Sequence, residues 1–379
     1  MSMKLIRQHI VSRLVLGMGL WLAVPAVFAE YGLNFPRPVT PIAHRILELH
    51  NLILIICLVI FVIVFSFMFY SIFAHRKSRG YKPAMFHDNT TAEVVWTVIP
   101  FLILVSMAIP STATLIDMSD TSKSDLTIKI TGYQWRWNYD YMDQDVSFFS
   151  TLATPRDQIE NKAAKGEHYL LEVDNPLVVP VGKKIRFLVT ANDVIHAWWV
   201  PQLGVKKDAI PGFINESWTL INEPGTYRGQ CAELCGKDHG FMPIVVEAKT
   251  PEEFDKWVVA QKEKIKADAV AAAGRSFDKD ELMERGKKIF GSTCTACHGP
   301  NGEGVATFPK MAGSKIATGP VANHIGIVLN GKPGTAMQAF GPQLNDIDLA
   351  AVITYERNAF GNRTGDFVQP SQVKAARKK

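Results

Sequence analysis

The chain has 379 residues, 47% of them hydrophobic, with a mean hydropathy of +0.05 and a net charge of +5. That length supports two or three domains. Lys and Arg gather at "HRKSRGYK" (75–82) and in the terminal "KAARKK", with no basic patch interleaved with aromatics on a binding motif, which excludes a nucleic-acid partner.

The first segment reads as a signal peptide over 1–29. "MSMKLIRQHIVSR" is its positive region, "LVLGMGLWLAVPAVF" its apolar core, and Ala29 ends a small-residue cleavage site. The exported chain is expected to begin near Glu30, and its cysteines then meet an oxidising compartment. A transmembrane hairpin is expected over 30–118. "NLILIICLVIFVIVFSFMFYSIF" (51–73, with the span opening near 49) and "VVWTVIPFLILVSMAIPSTATLI" (94–116) are each long enough to cross about 30 Å of hydrocarbon. Pro100 and Pro110 are kink positions that a membrane helix tolerates. Cys57, mid-span, reads as a packing residue. His75, Arg76, Lys77, Arg79 and Lys82 place the connecting loop in the cytoplasm by the positive-inside rule, so both ends of the hairpin face outward.

From about 119 to 249 the texture changes to short runs rich in β-branched and aromatic residues, such as "LTIKITGYQWRWNYDY", "KKIRFLVTAND" and "MPIVVEAK". Asn175-Pro176, Val181-Gly182 and Pro224-Gly225 punctuate them. This spacing predicts an all-β sandwich or barrel.

The end of that region carries Cys231-x-Glu233-x-Cys235-x₃-His239-x₂-Met242, and His196 lies upstream in "NDVIHAWW". Thiolate, imidazole and thioether donors together favour copper. Zinc could take two Cys and two His, which leaves Met242 idle. A Cys231–Cys235 disulfide is open to an exported protein, but leaves His196, His239 and Met242 unexplained. The economical arrangement is two copper ions bridged by both sulfurs. Each ion takes one His, with Met242 and the Glu233 carbonyl as weaker ligands. A rigid shared pair changes little in geometry per electron, as a transfer site requires.

Residues 250–280 read as a charged, Ala-rich helix followed by a flexible linker. A flexible tether of about thirty residues would hold the C-terminal region near millimolar effective concentration. Residues 281–366 read as a small helical domain. An amphipathic helix runs into Cys294-Thr295-Ala296-Cys297-His298, the C-x-x-C-H signature of c-type haem. The two thiols reach the two haem vinyl groups, and His298 reaches the iron. A Met is a common second axial ligand. Met337, on a loop before the last helix, is the expected one, with Met311 as the alternative; Gln338 follows Met337, where a Pro is common. Asn345 or Asp346 caps the terminal helix. Residues 367–379 are expected to be disordered.

The ligand set, together with "GYQWRWNYDY", "LLEVDNPLVVP", "VPQLGVKKDAIPG", "AELCGKDHGFMPIVV" and the hairpin's "AEVVWTVIP", closely resembles subunit II of cytochrome c oxidase over about 40–250. Residues 281–366 resemble a cytochrome c fused behind it. The resemblance implies a multidomain membrane protein: a two-helix hairpin, a cupredoxin-like β-barrel with a dinuclear CuA centre, and an all-α class I cytochrome c domain. It implies that Trp135 is the aromatic at which electrons arrive, that the Glu233 side chain also binds Mg at the boundary with subunit I, and that Glu93 lies near the entrance of a proton channel. The implied role is an electron relay, as a component of the oxidase rather than its oxygen-reducing centre. Electrons go from a cytochrome donor to haem c, then CuA, then the haem–copper centre of subunit I, with subunit III as a further partner. The implied location is the bacterial inner membrane, with both soluble domains periplasmic. A membrane-tethered copper–haem carrier serving other enzymes is the alternative.

Overall fold

The computed structural model describes residues 32, 34–82, 85, 87–306 and 308–377. The expected signal peptide lies outside the described residues.

Two long helices open the described chain. α1 (Pro41–Ala74) starts where the Thr40 hydroxyl accepts from the Ala43 N–H, with Pro41 in its first turn; both devices satisfy or remove orphan N–H groups. α2 (Thr90–Ser119) is capped by Asn89 and contains Pro100 and Pro110. At 34 and 30 residues, and about 1.5 Å per residue, each exceeds the roughly 30 Å of a bilayer core. Their most apolar stretches, mean hydropathy 3.4 and 2.2, have no residue buried inside the protein. In water that exposure would be costly; in lipid it is not. α1 begins well before the expected span, because its first turn seats Ile42 and Ala43 against protein rather than lipid. An Arg45–Asp117 ion pair joins the two helices, and the Trp218 indole N–H donates to the Asp117 carbonyl at 2.9 Å, tying α2 to the β-domain.

That domain is two five-stranded sheets face to face. Its strands are β1 (Leu126–Tyr133), β2 (Arg136–Tyr141), β3 (Val146–Ser150), β4 (Leu177–Pro180), β5 (Lys184–Ala191), β6 (His196–Val200), β7 (Val205–Ala209), β8 (Asn215–Leu220), β9 (Gly225–Cys231) and β10 (Pro243–Lys249). One sheet runs β3-β2-β1-β5-β8 and the other β4-β10-β9-β6-β7. The β1–β5 and β10–β4 pairs are parallel. β5 alternates strictly, burying Ile185, Phe187, Val189 and Ala191, as a half-buried strand must. The Tyr141 hydroxyl crosses between the sheets. It donates to the Val178 carbonyl at 2.7 Å and accepts from the Val178 N–H at 3.0 Å. The fold class is the expected cupredoxin-like one.

The connector has the expected helix but not the long flexible linker after it. α3 (Pro251–Gly274) is helical, and only four residues, 275–278, separate it from the next helix. Phe254 and Val258 are buried in the barrel core, and the Trp257 ring lies 5.2 Å from Tyr141. Burial of this i, i+4 stripe, not a flexible linker, fixes the connection.

α4 (Lys279–Ile289), α5 (Val321–Asn330) and α6 (Asp346–Asn358) form the helical domain. Asn345 caps α6, accepting from the Asp348 N–H at 2.9 Å. α4 crosses α6 so closely that a Cβ on Gly286 would sit 2.1 Å from the Ala351 carbonyl oxygen. The expected disordered tail is instead helix α7 (Pro370–Arg377). It buries Pro370 and Val373, and Arg377 donates to Asp346 at 2.6 Å and to the Leu344 carbonyl at 2.5 Å.

Candidate metal and haem centres

The copper-type donors meet at one end of the barrel. Cys231 ends β9, His196 opens β6, and the loop between β9 and β10 supplies Glu233, Cys235, His239 and Met242. The sulfurs of Cys231 and Cys235 are 3.8 Å apart. Both thiols are free, and this separation far exceeds the ~2.05 Å of a disulfide. Each imidazole turns Nδ1 toward a different sulfur: His196 is 3.9 Å from Cys231, and His239 is 3.5 Å from Cys235. The Glu233 carbonyl oxygen is 3.4 Å from the Cys231 sulfur, while its side chain is exposed. Met242 is 1% exposed.

The imidazole of His196 is fixed from behind. Its Nε2 lies 2.9 Å from Asp193 Oδ1, and the other oxygen of that carboxylate accepts from the Gln134 N–H at 2.8 Å. Gly132 on β1 leaves room for the ring, since a Cβ there would meet His196 Cδ2 at 2.8 Å. Burial pulls the His196 pKa down, but the Asp193 and Cys231 contacts outweigh it and the net shift is upward. The Cys235 thiol holds Cys231 well below the usual thiol range, against burial and with help from His196. Cys235 is pushed up by that neighbouring thiolate and by burial. The pair thus favours a thiolate at Cys231 with the Cys235 thiol bonded to it. Two sulfurs, each with its own imidazole and weak donors at the flanks, fit a bridged copper pair. A single tetrahedral zinc would leave Met242 without a role.

Trp135, in the β1–β2 turn, is half-buried. Its indole N–H and the Gln134 amide both donate to the Cys235 carbonyl, at 3.1 and 2.9 Å. Glu93 is exposed in the first turn of α2, at the end remote from β1.

Cys294, Cys297 and His298 lie together at the turn after α4. The His298 Nδ1–H donates to the Pro309 carbonyl at 2.8 Å, which leaves Nε2 for an iron. Burial raises the thiol pKa of both cysteines, and at Cys294 the Glu356 carboxylate adds to it. Met337 sits half-buried on the loop before α6, whereas Met311 is 9% exposed within the helical core. Residues that fit a haem c are therefore present.

Several participants carry no motif of their own. Asp193 could have been found, three residues before His196. Arg136, Lys237 and Gln343, which join the two soluble domains, give no sequence signal. Neither do His324 and Glu356, a buried pair with Nε2 2.8 Å from Oε2; among the described residues His324 Nδ1 has no hydrogen-bond partner.

A sulfur–imidazole cluster on a two-sheet β-domain, carried by two apolar helices and followed by a C-x-x-C-H domain, defines a membrane-anchored electron-transfer protein. Residues 126–249 match the family described as cytochrome c oxidase subunit II, periplasmic domain, and 29–114 match its transmembrane domain. Residues 281–355 match cytochrome c oxidase, cbb3-type, subunit III. "Probable cytochrome c oxidase subunit 2" of Rickettsia conorii is 42% identical over 229 residues, 60% of this chain and 71% of that one. Cytochrome c oxidase subunit 2 of Cyanidium caldarium is 39% identical over 231 residues, 60% of this chain and 89% of that one. The crystal structure of the periplasmic domain of cytochrome oxidase subunit II of Bradyrhizobium japonicum is 48% identical, covering 38% of this chain and 98% of that one, with a TM-score of 0.34. The chain belongs to the cytochrome c oxidase subunit II family and carries a C-terminal cytochrome c domain. It is a component of that oxidase; its subunit II domain implies CuA copper and a subunit I partner, and its cytochrome domain implies haem c.

Proposed function

We propose that this subunit relays electrons from a cytochrome donor, through a haem c in its own C-terminal domain, to a dinuclear CuA centre and on to the oxygen-reducing haem–copper centre of subunit I. Cys231 and Cys235 bridge the copper pair, and His196 and His239 give it one nitrogen each. The Glu233 carbonyl and Met242 supply the weaker donors. Cys294 and Cys297 hold the haem covalently, with His298 and Met337 as axial ligands; the loop position of Met337, against the core packing of Met311, supports that choice. Trp135 is the aromatic on the electron path, its indole bonded to the carbonyl of a bridging cysteine. The exposed Glu233 carboxylate takes Mg at the subunit I boundary. Glu93 stands near the proton-channel entrance at the opposite end of α2.

The proposed domain limits are a hairpin over 30–118, the CuA domain over 119–249, a helical connector from 250, and a cytochrome domain whose core takes in Phe277 at one end and Val368 and Val373 at the other. The basic loop at 75–82 supports a bacterial inner-membrane location with both soluble domains periplasmic, beside subunits I and III.

The observation that carries this reading is one imidazole Nδ1 facing each of two unlinked sulfurs. Metal analysis and optical and electron-spin spectra of the purified chain test it. Two coppers in a mixed-valence pair and one covalent haem per chain are expected; a single copper or zinc per chain overturns it.

A further inference from the structure

The cytochrome domain is held against the barrel at both cofactor loops. Lys237 lies between Cys235 and His239, and its ammonium donates to the Ala296 carbonyl at 2.7 Å, between the two haem cysteines. Arg136, next to Trp135, is 6% exposed although it is charged. Its guanidinium donates to the Gln343 side-chain oxygen, and to the hydroxyl of Thr293, which precedes Cys294, at 3.3 Å. Phe149 of the barrel and Phe340 of the cytochrome domain flank it, with ring centres 4.5 and 5.8 Å away. Gln343 is itself buried. Its amide donates to the Ala339 carbonyl and the Gln338 side chain, at 2.8 and 3.0 Å, so its oxygen stays turned to Arg136. Gln338 follows Met337. Arg136 and Lys237 therefore bond Thr293 and Ala296 beside the haem cysteines, and Gln343 on the loop that follows Met337.

Both acceptors of Arg136 are neutral. Burial lowers its pKa to about 10, against the weaker pull of nearby groups that include the Asp174 and Asp193 carboxylates, since a guanidinium out of water with no anion bonded to it is unfavourable. A carboxylate in place of Gln343 would bond it more strongly. We infer that Arg136 and Lys237 are a reversible latch: positioning residues that dock this chain's own cytochrome domain with its haem loop on the copper loop, with the neutral Gln343 keeping the docked state able to open. This rests on the relay proposed above.

The test uses the full chain, loaded with haem and copper, in the intact oxidase. Hydrogen exchange is followed at 235–239, 293–298 and 338–343. Electron arrival at the copper pair is followed after rapid photoreduction of the haem. Losing a hydrogen bond to a buried charge shifts a two-state equilibrium by about tenfold or more. So Arg136→Gln and Lys237→Met should speed exchange in these segments by about that factor and slow haem-to-copper transfer in proportion to the docked population lost, with both chromophores intact. Gln343→Glu, made on the other side of the contact, should slow exchange below wild type. Wild-type exchange in both Arg136→Gln and Lys237→Met, or faster exchange in Gln343→Glu, overturns the latch. A wild-type chain that shows no haem-to-copper transfer overturns the relay, and exchange still decides the latch.

Discussion

Asp193 holds the far nitrogen of His196 at 2.9 Å, so the imidazole presents Nδ1 to Cys231. A carboxylate behind a ligating histidine fixes its tautomer and raises its basicity, and losing it costs about 10–100-fold in metal affinity. Asp193→Ala should therefore weaken copper binding by that factor in a chelator competition. Asp193→Asn, which keeps an oxygen acceptor, should lose less. Equal affinity in all three proteins would show that the carboxylate does not set the ring.

The chemistry-bearing spacings were legible because they are local. C-x-x-C-H and the Cys–Cys–His–Met run each fall within one turn or loop. His196 is remote in sequence, yet strand pairing of β6 with β9 brings it in. Contacts between domains were not legible. Nothing in "YQWRW" marks Arg136 as buried by a glutamine about two hundred residues later. The connector's helix was legible, but its docking face was not, for a different reason. Its charged, Ala-rich composition resembles a solvated linker, although Phe254, Trp257 and Val258 recur at the i, i+3, i+4 spacing of a docking face. α7 offered too short a window, two buried residues and one arginine, to compete with its polar neighbours.

That docking face yields a second prediction. Phe254 is buried in the barrel core, and truncating a buried Phe to Ala costs about 3–5 kcal/mol. Phe254→Ala should release the first turns of α3 and lengthen the tether. Small-angle scattering of the full chain in detergent should show a wider distribution of distances between the two soluble domains. Distances that match wild type would mean that α3 does not fix the connection.

The cytochrome domain should lose stability in acid through one ion pair. Arg357 is 2% exposed and donates twice to Asp366, at 2.7 Å each. The Arg357 hydrogen bonds hold Asp366 below its usual value of 3.8, against a smaller effect of burial. A depressed carboxylate contributes stability that is full above its unfolded pKa and is lost as pH falls through the folded one. The contribution should thus be complete above about pH 5 and fade below pH 4. Asp366→Asn should remove it at every pH, leaving a buried guanidinium short of its counter-charge. Because Asp366 is 43% exposed, solvent screening holds the cost to about 1–2 kcal/mol. Thermal melts of the haem-loaded domain transition between pH 3 and 7 read this; parallel wild-type and variant curves would reject it.

Gly132 gives the most selective test of the copper pocket. A Cβ at this position would lie 2.8 Å from His196 Cδ2, closer than real carbon–carbon contacts, and 3.0 Å from Cγ. The neighbouring β1 residues pair with β2 and β5 through backbone bonds that an alanine leaves in place. Gly132→Ala should therefore spare the barrel, at a cost of about 1–3 kcal/mol for overpacking, while pushing the imidazole away from Cys231. The expected result is a folded protein with near-native far-ultraviolet dichroism, shifted copper absorption bands and weaker copper retention. The three atoms nearest the new methyl group all belong to His196, so the Cys235–His239 half should keep its own contact. A variant with native bands and native copper retention would show that His196 does not hold the metal through the nitrogen that faces Cys231.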